Sequence, residues 1–134
     1  MAKKRKRSKR IKPIYDNMEF DSQLELEHYK ILLESPMVKN IKRQMTFPLK
    51  AGFSYTRFPD YKECRFSSMV YTPDFIVEIK GVDKPVAIES KGYARGEYRM
   101  RKKLFIMMYK DDYYFLESRS KKHLTEVLEG LKNE

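Results

Sequence analysis

Tyr71-Thr72-Pro73-Asp74-Phe75-Ile76-Val77-Glu78-Ile79-Lys80 and, beyond Gly81-Val82-Asp83-Lys84, Pro85-Val86-Ala87-Ile88-Glu89-Ser90-Lys91-Gly92 are the two stretches whose reading decides the fold. Each is a short apolar run, rich in β-branched residues and punctuated by Pro or Gly, which reads as a strand. The short turn between them makes the two strands antiparallel neighbours. Side chains alternate along a strand, so Phe75, Val77 and Ile79 share one face while Asp74, Ile76, Glu78 and Lys80 share the other. On the next strand Val86, Ile88 and Ser90 point one way and Ala87, Glu89 and Lys91 the other. Glu89 and Lys91 therefore project together, roughly 7 Å apart along the strand. Asp74, at the start of one strand, approaches Glu89 near the end of its neighbour, so two carboxylates and an ammonium meet at one end of the sheet. Glu78-Ile79-Lys80 repeats the Glu-x-Lys form on the same strand as Asp74, too close to it to form a pair across two strands, and belongs to the solvated face.

Outward from this pair, Phe20-Asp21-Ser22 leads into a helix from Gln23 to Glu34, stopped by Ser35-Pro36. Val38 to Leu49 alternates as one strand, residues 50–64 read as a loop with Gly52 and Pro59, and Arg65 to Tyr71 reads as a second strand. After the strands Asp74–Lys80 and Pro85–Lys91, a helix is expected over Arg95 to Tyr109, a strand over Tyr113 to Glu117 and a final helix over Lys121 to Leu131. This order gives a mixed α/β (α+β) domain over residues 14–134, with a central mixed sheet of about five strands flanked by helices.

The chain has 134 residues and a net charge of +10, from 29 basic and 19 acidic residues. Lys3, Lys4, Arg5, Lys6, Arg7, Lys9, Arg10 and Lys12 stand in the first 12 residues with no acid among them; without those eight, 21 basic residues face 19 acidic ones. Residues 1–13 thus read as a disordered basic tail. Such a tail binds a polyanion by counterion release without reading sequence. One cysteine, Cys64, allows no intrachain disulfide. No apolar run approaches the roughly 18 residues of a membrane span, and no signal-peptide pattern is present, so a cytoplasmic protein with no membrane partner is expected.

Two carboxylates held close repel each other and seek a cation, and hard oxygen ligands favour Mg²⁺, with Mn²⁺ as a substitute. Beside them a lysine can orient or deprotonate an attacking water, or offset charge building on a phosphate. Glu25 adds a third acid. At 100° per residue it shares an arc with Leu26, Tyr29, Leu32 and Leu33, an apolar face where a charge is costly unless paired or metal-bound. Ser22-x-x-Glu25 is also a capping box, in which Glu25 would bond the Ser22 amide. His28 and His123 have no partner spacing that points to chemistry. On the second helix Arg95, Arg99 and Lys102 fall on one side with Lys103 at its margin, a stripe suited to DNA phosphates. Phe53, Tyr55, Tyr61 and Phe66, interspersed with Arg57, Lys62 and Arg65, fit base stacking, a dimer interface or the core equally. The methionines, notably Met107 and Met108, read as core filler.

Taken as a set, Tyr71-Thr72-Pro73-Asp74-Phe75, Glu89-Ser90-Lys91-Gly92 and Phe20-Asp21-Ser22-x-x-Glu25 resemble the PD-(D/E)xK nuclease superfamily, and within it the phage endonuclease I type of Holliday-junction resolvase. The resemblance covers roughly residues 18–110. It implies a restriction-endonuclease-like core, two divalent metals, a homodimer, a phage-infected bacterial host and cleavage of branched DNA. Asp74, Glu89 and Glu25 resemble the metal ligands and Lys91 the catalytic lysine. That family carries a further acid between the first helix and the Pro-Asp strand, for which Asp60 and Glu63 are the available positions. A sequence-preferring restriction-type or nicking nuclease, or an inactive DNA-binding module of the same fold, are the alternatives.

Overall fold

The computed structural model describes residues 11–91 and 96–132. The tail cations Lys3, Lys4, Arg5, Lys6 and Arg7, together with Gly92 and Arg95, lie outside the described residues. Pro13, read as the end of the tail, is tied to the domain, its carbonyl accepting from the Phe20 N–H at 2.9 Å.

A tight hairpin comes first. β1 (Ile14–Tyr15) and β2 (Met18–Glu19) pair antiparallel through Asp16 and Asn17, at φ of 52° and 60°. Two successive left-handed residues are what a two-residue type I′ turn requires, and Asp and Asn tolerate them best. α1 (Gln23–Glu34) begins where Ser22, in extended conformation, accepts the Glu25 N–H on its Oγ at 3.1 Å. It ends at Ser35, which turns extended before Pro36.

Three expectations are corrected in the next stretch. The strand read from Val38 to Leu49 is two strands, β3 (Val38–Arg43) and β4 (Phe47–Lys50). They are separated by Gln44 at φ 57°, a left-handed residue that turns the chain out of the first sheet. The loop at 50–64 contains β5 (Phe53–Thr56) and the start of its antiparallel partner β6 (Glu63–Phe66). Gly52 does not break that ribbon; a Cβ there would meet the Phe66 carbonyl oxygen at 3.0 Å. Ser67-Ser68 then divides the strand expected over 65–71, leaving β7 (Met69–Tyr71). The remaining elements fall within a residue or two of their expected bounds: β8 (Phe75–Ile79), β9 (Val86–Ser90), α2 (Gly96–Tyr109), β10 (Tyr114–Ser118) and α3 (Lys121–Lys132).

The result is a mixed α+β fold. Among the described residues the main sheet has four strands in the order β10-β9-β8-β3, where about five were expected, and β1–β2, β4–β7 and β5–β6 are separate two-stranded ribbons. β8 runs antiparallel to both β3 and β9, whereas β10 lies parallel to β9. A parallel pair needs a long crossover, and α2 supplies it.

Strand alternation divides the core. Phe75, Val77, Ile79, Val86 and Ile88 pack against Leu32 of α1 and Leu124 and Leu128 of α3. Ile76 and Ala87, on the opposite face, pack against Tyr98 and Phe105 of α2 and against Phe47, Leu49 and Tyr71 of the β4–β7 ribbon. The sheet is thus sandwiched between α1/α3 and α2. Two expectations of burial fail. Leu33 is half exposed, because α1 turns Glu25, Leu26, His28 and Leu32 inward. Met107 and Met108 are no core filler: with Met100 they lie on the outer side of α2, 64%, 47% and 59% exposed, since Tyr98 and Phe105 already fill the contact with the sheet.

Candidate active site

Asp74 immediately precedes β8 and Glu89 lies near the end of β9. The register pairs Phe75 with Ile88 and Ile76 with Ala87; continued by one residue it sets Asp74 opposite Glu89. Directly opposed residues share a face. The two acids therefore share a face, as alternation predicts, and lie on the α2 side of the sheet. Asp74 Oδ2 accepts the Ser90 N–H at 2.7 Å. Glu89, only 6% exposed, accepts the Tyr71 O–H on Oε2 at 2.8 Å and holds Lys91 Nζ 3.6 Å from Oε1. The Lys91 ammonium also sits 4.9 Å from the centre of the Tyr98 ring, a cation–π contact that fixes a flexible side chain.

α1 brings Glu25 to the same place. It is 5% exposed and ion-paired with Arg43 at 3.3 Å. Arg43 is itself held by the Glu19 carbonyl at 2.9 Å and lies 4.0 Å over the Phe20 ring. The capping box forms with one correction: Glu25 Oε2 accepts the Asp21 N–H at 3.2 Å rather than that of Ser22. This draws in Asp21, a residue with no role expected from its sequence position. Asp21, Glu25 and Asp74 each place a carboxylate oxygen within 4.8 Å of the others. Glu89 is not one of that trio, so the carboxylate expected to pair most closely with Asp74 is its cross-strand neighbour, while the tightest group forms with the helix. Asp60 and Glu63 take no part: Asp60 pairs with Arg57 and Glu63 with Thr56, out on the β5–β6 ribbon.

The electrostatics follow from this crowding. Burial, then the charges of Glu89 and Glu25, push Asp74 up to about 8 from 3.8, against the Ser90 N–H and Lys91. Glu25 is raised by burial, opposed by the Asp21 amide and Arg43. Glu89 is raised by burial, opposed by Tyr71 and Lys91. The Tyr71 phenol is driven upward by burial and by Glu89, so it stays a proton donor. Four acidic side chains thus crowd together with three cations around them, Arg43, Lys91 and Lys12, the last 3.2 Å from Asp21, and carboxylates that resist ionisation this way are of the kind a hard divalent cation can bind in place of a proton. The residues fit such an ion.

A cleft of about 400 Å³ opens beside the acids, lined by Tyr71, Glu89, Lys91, Glu97, Tyr98 and Arg101 among others. Arg101 is anchored by the Val70 carbonyl at 3.2 Å and by Glu97 at 2.7 Å. Tyr98 connects this cleft to a second hollow of about 230 Å³, formed with Arg99, Lys102, Lys103, Glu117 and Arg119. Of the stripe expected on α2, Arg99 and Lys103 are exposed, whereas Lys102 is bound to Glu117 at 2.9 Å. Arg119, just beyond β10, joins them through folding alone; its short polar context, Ser118-Arg119-Ser120, carried no signal. His28 is fully buried, hydrogen-bonded to Ser90, Ser118 and the Ser120 carbonyl.

A family model described as "Protein of unknown function (DUF1064)" matches residues 3–125. No curated protein and no solved structure matches the chain. No helix among the described residues is long and apolar enough to cross a membrane.

Proposed function

We propose that this chain, which belongs to the DUF1064 family, is a metal-dependent DNA endonuclease selective for branched structures, a phage-type Holliday-junction resolvase with a restriction-endonuclease-like core. The observation that carries the proposal is the convergence of Glu25, Asp74 and Glu89 from α1, the entry to β8 and β9, with Lys91 3.6 Å from Glu89 and a polar cleft alongside that carries Lys91 and Arg101.

Asp74, Glu25 and Glu89 would hold Mg²⁺ or Mn²⁺, with Asp21 in reach. When bound, such an ion polarises a phosphoryl oxygen and acidifies water. The chain's own residues do the rest. Tyr71 donates to Glu89 Oε2 and fixes the carboxylate, so Oε1 is the oxygen left toward Lys91. The Lys91 ammonium, steadied by Tyr98, offsets charge that builds on a phosphate in the transition state. Arg101, Arg99, Lys103 and Arg119 border the cleft and its extension, where they suit backbone phosphates. Contacts to backbone rather than to base edges would favour shape over sequence. Lys102, committed to Glu117, positions that wall. The tail cations Lys3, Lys4, Arg5, Lys6 and Arg7, and Arg95, add sequence-independent attraction.

The test is cleavage of a four-way junction, a flap, a plain duplex and a single strand, with Mg²⁺, Mn²⁺ or chelator. The proposal expects junction cutting in either metal, none in chelator, and a loss of about 10³-fold or more in Glu89→Gln with binding retained. Cutting only duplex at a fixed sequence would indicate the restriction-type alternative. No cutting of any substrate in either metal would leave a DNA-binding module.

A further inference from the structure

The β5–β6 ribbon has no part in the acidic site, and it carries the most exposed aromatic surface among the described residues. Its cross-strand pairs set Phe53 opposite Phe66 and Tyr55 opposite Cys64. One face therefore holds Phe53, Tyr55 and Phe66, each about half exposed, with Phe53 and Phe66 stacked at 5.1 Å. At the tip Phe58 and Tyr61 are 74% and 70% exposed and meet edge to face at 6.0 Å. A free two-stranded ribbon is marginal by itself, yet this tip is fastened. Arg57 Nε reaches both Asp60 carboxylate oxygens at 3.1 Å, Asp60 accepts the Lys62 N–H at 3.1 Å, and the Arg57 N–H reaches the Lys62 carbonyl at 2.9 Å. Tyr61 is held at φ 59°, a left-handed conformation that is costly for an aromatic residue. Such strain persists where surroundings over-determine it, and it gathers where a side chain must be presented.

Charge identifies the occupant. Arg57, held by Asp60, precedes Phe58, Lys62 follows Tyr61 and Arg65 precedes Phe66, so cations are interleaved with the rings along the ribbon. A protein interface depletes charge at its core, whereas aromatic rings interleaved with cations are how proteins hold unstacked bases and the phosphates between them. The ribbon is also joined to the site: β6 leads through Ser67-Ser68 into β7, whose Tyr71 donates to Glu89.

We propose that the β5–β6 ribbon is a stacking arm for the unpaired bases of DNA, with Phe58 and Tyr61 as the rings that receive them. This rests on the proposed action on DNA, and it names what the arm recognises: bases freed at a branch or in a single strand.

Binding in chelator, where nothing is cut, tests the arm apart from catalysis. Full-length protein is titrated into labelled single strand, four-way junction and plain duplex. The double variant Phe58→Ala/Tyr61→Ala should bind the single strand and the junction about tenfold more weakly while duplex affinity barely moves. The chain has no tryptophan, so Phe58→Trp adds one ring and one fluorophore. It should bind like the wild type and be quenched by single strand and not by duplex. Equal weakening on all three DNAs, no quenching of Phe58→Trp, or a wild type that binds no DNA would overturn the proposal. So would a wild-type dimer that dissociates in the double variant, since the arm would then cover a second copy. Junction cutting that survives with no arm effect leaves the nuclease reading standing alone; arm effects without any cutting leave the arm alone.

Discussion

At Asp74, burial, Glu89 and Glu25 all oppose ionisation, and the Ser90 N–H and Lys91 only partly offset them. The folded chain holds this proton up to about pH 8, whereas the unfolded chain releases it near 3.8. Between those values the folded state binds more protons, so this group's contribution to stability falls as pH rises through the window. Asp74→Asn removes the penalty and keeps an oxygen for the Ser90 N–H. In chelator its melting temperature should exceed the wild type's by several degrees at about pH 8, about 1 kcal/mol or more, with the gap closing towards about pH 4. A variant that melts lower at about pH 8 contradicts the geometry. Lys91→Met should bind junctions normally and cut them about 10²-fold or more slowly, read from single-turnover rates. Much at this scale was legible in the sequence. Period-two alternation alone set Asp74, Glu89 and Lys91 on one face, and the apolar arc of the first helix exposed Glu25 as an acid out of place. Asp21, Arg43 and Tyr71 were not legible. Asp21 sits before the helix cap, where an acid is ordinary; Arg43 reaches Glu25 only through the packing of β3 against α1, and Tyr71, though three residues before Asp74, meets Glu89 only once β7 is packed beside β9.

Helix α1 and strand β9 are joined by one buried side chain. With its Nε2–H donated to the Ser120 carbonyl and Nδ1 accepting the Ser90 O–H, a neutral His28 satisfies both strand and turn and fixes the helix that carries Glu25 against the strand that carries Glu89. Burial lowers its pKa from 6.5. The unfolded chain therefore takes up this proton first as pH falls below about 6.5, and the stability it contributes is lost on the acid side. His28→Gln should cost about 1–3 kcal/mol at neutral pH in thermal melts and flatten that acid-side loss. An unchanged melting curve would mean the latch is not made. The elements themselves were mostly readable, since caps and Pro breaks gave α1 its ends and alternation gave β8 and β9. The misreadings share a cause. The break at Gln44 depends on a backbone angle that its residue type does not announce. The 53–66 ribbon hid because its aromatic alternation spans a turn containing Pro59.

For the molecule as a whole, the folded part is nearly neutral and the tail carries the excess charge. Deleting residues 1–12 should therefore weaken duplex and junction binding alike and make the salt dependence shallower, by about 0.9 in the log–log slope for each phosphate the tail had neutralised. An unchanged slope would place the electrostatics in the domain. A mixed α+β domain could be expected from element order; the separate ribbons could not, because strand partners depend on long-range pairing that local sequence does not encode. The central claim is that acids from α1, β8 and β9 together hold a divalent cation. Titration with Mn²⁺, followed by the decline of the free-ion paramagnetic resonance signal, tests it without assuming a substrate. The account predicts that the wild type binds Mn²⁺, that Mg²⁺ competes, and that Asp74→Asn and Glu25→Gln each weaken binding by about tenfold or more. Equal Mn²⁺ binding by wild type and Asp74→Asn would contradict it.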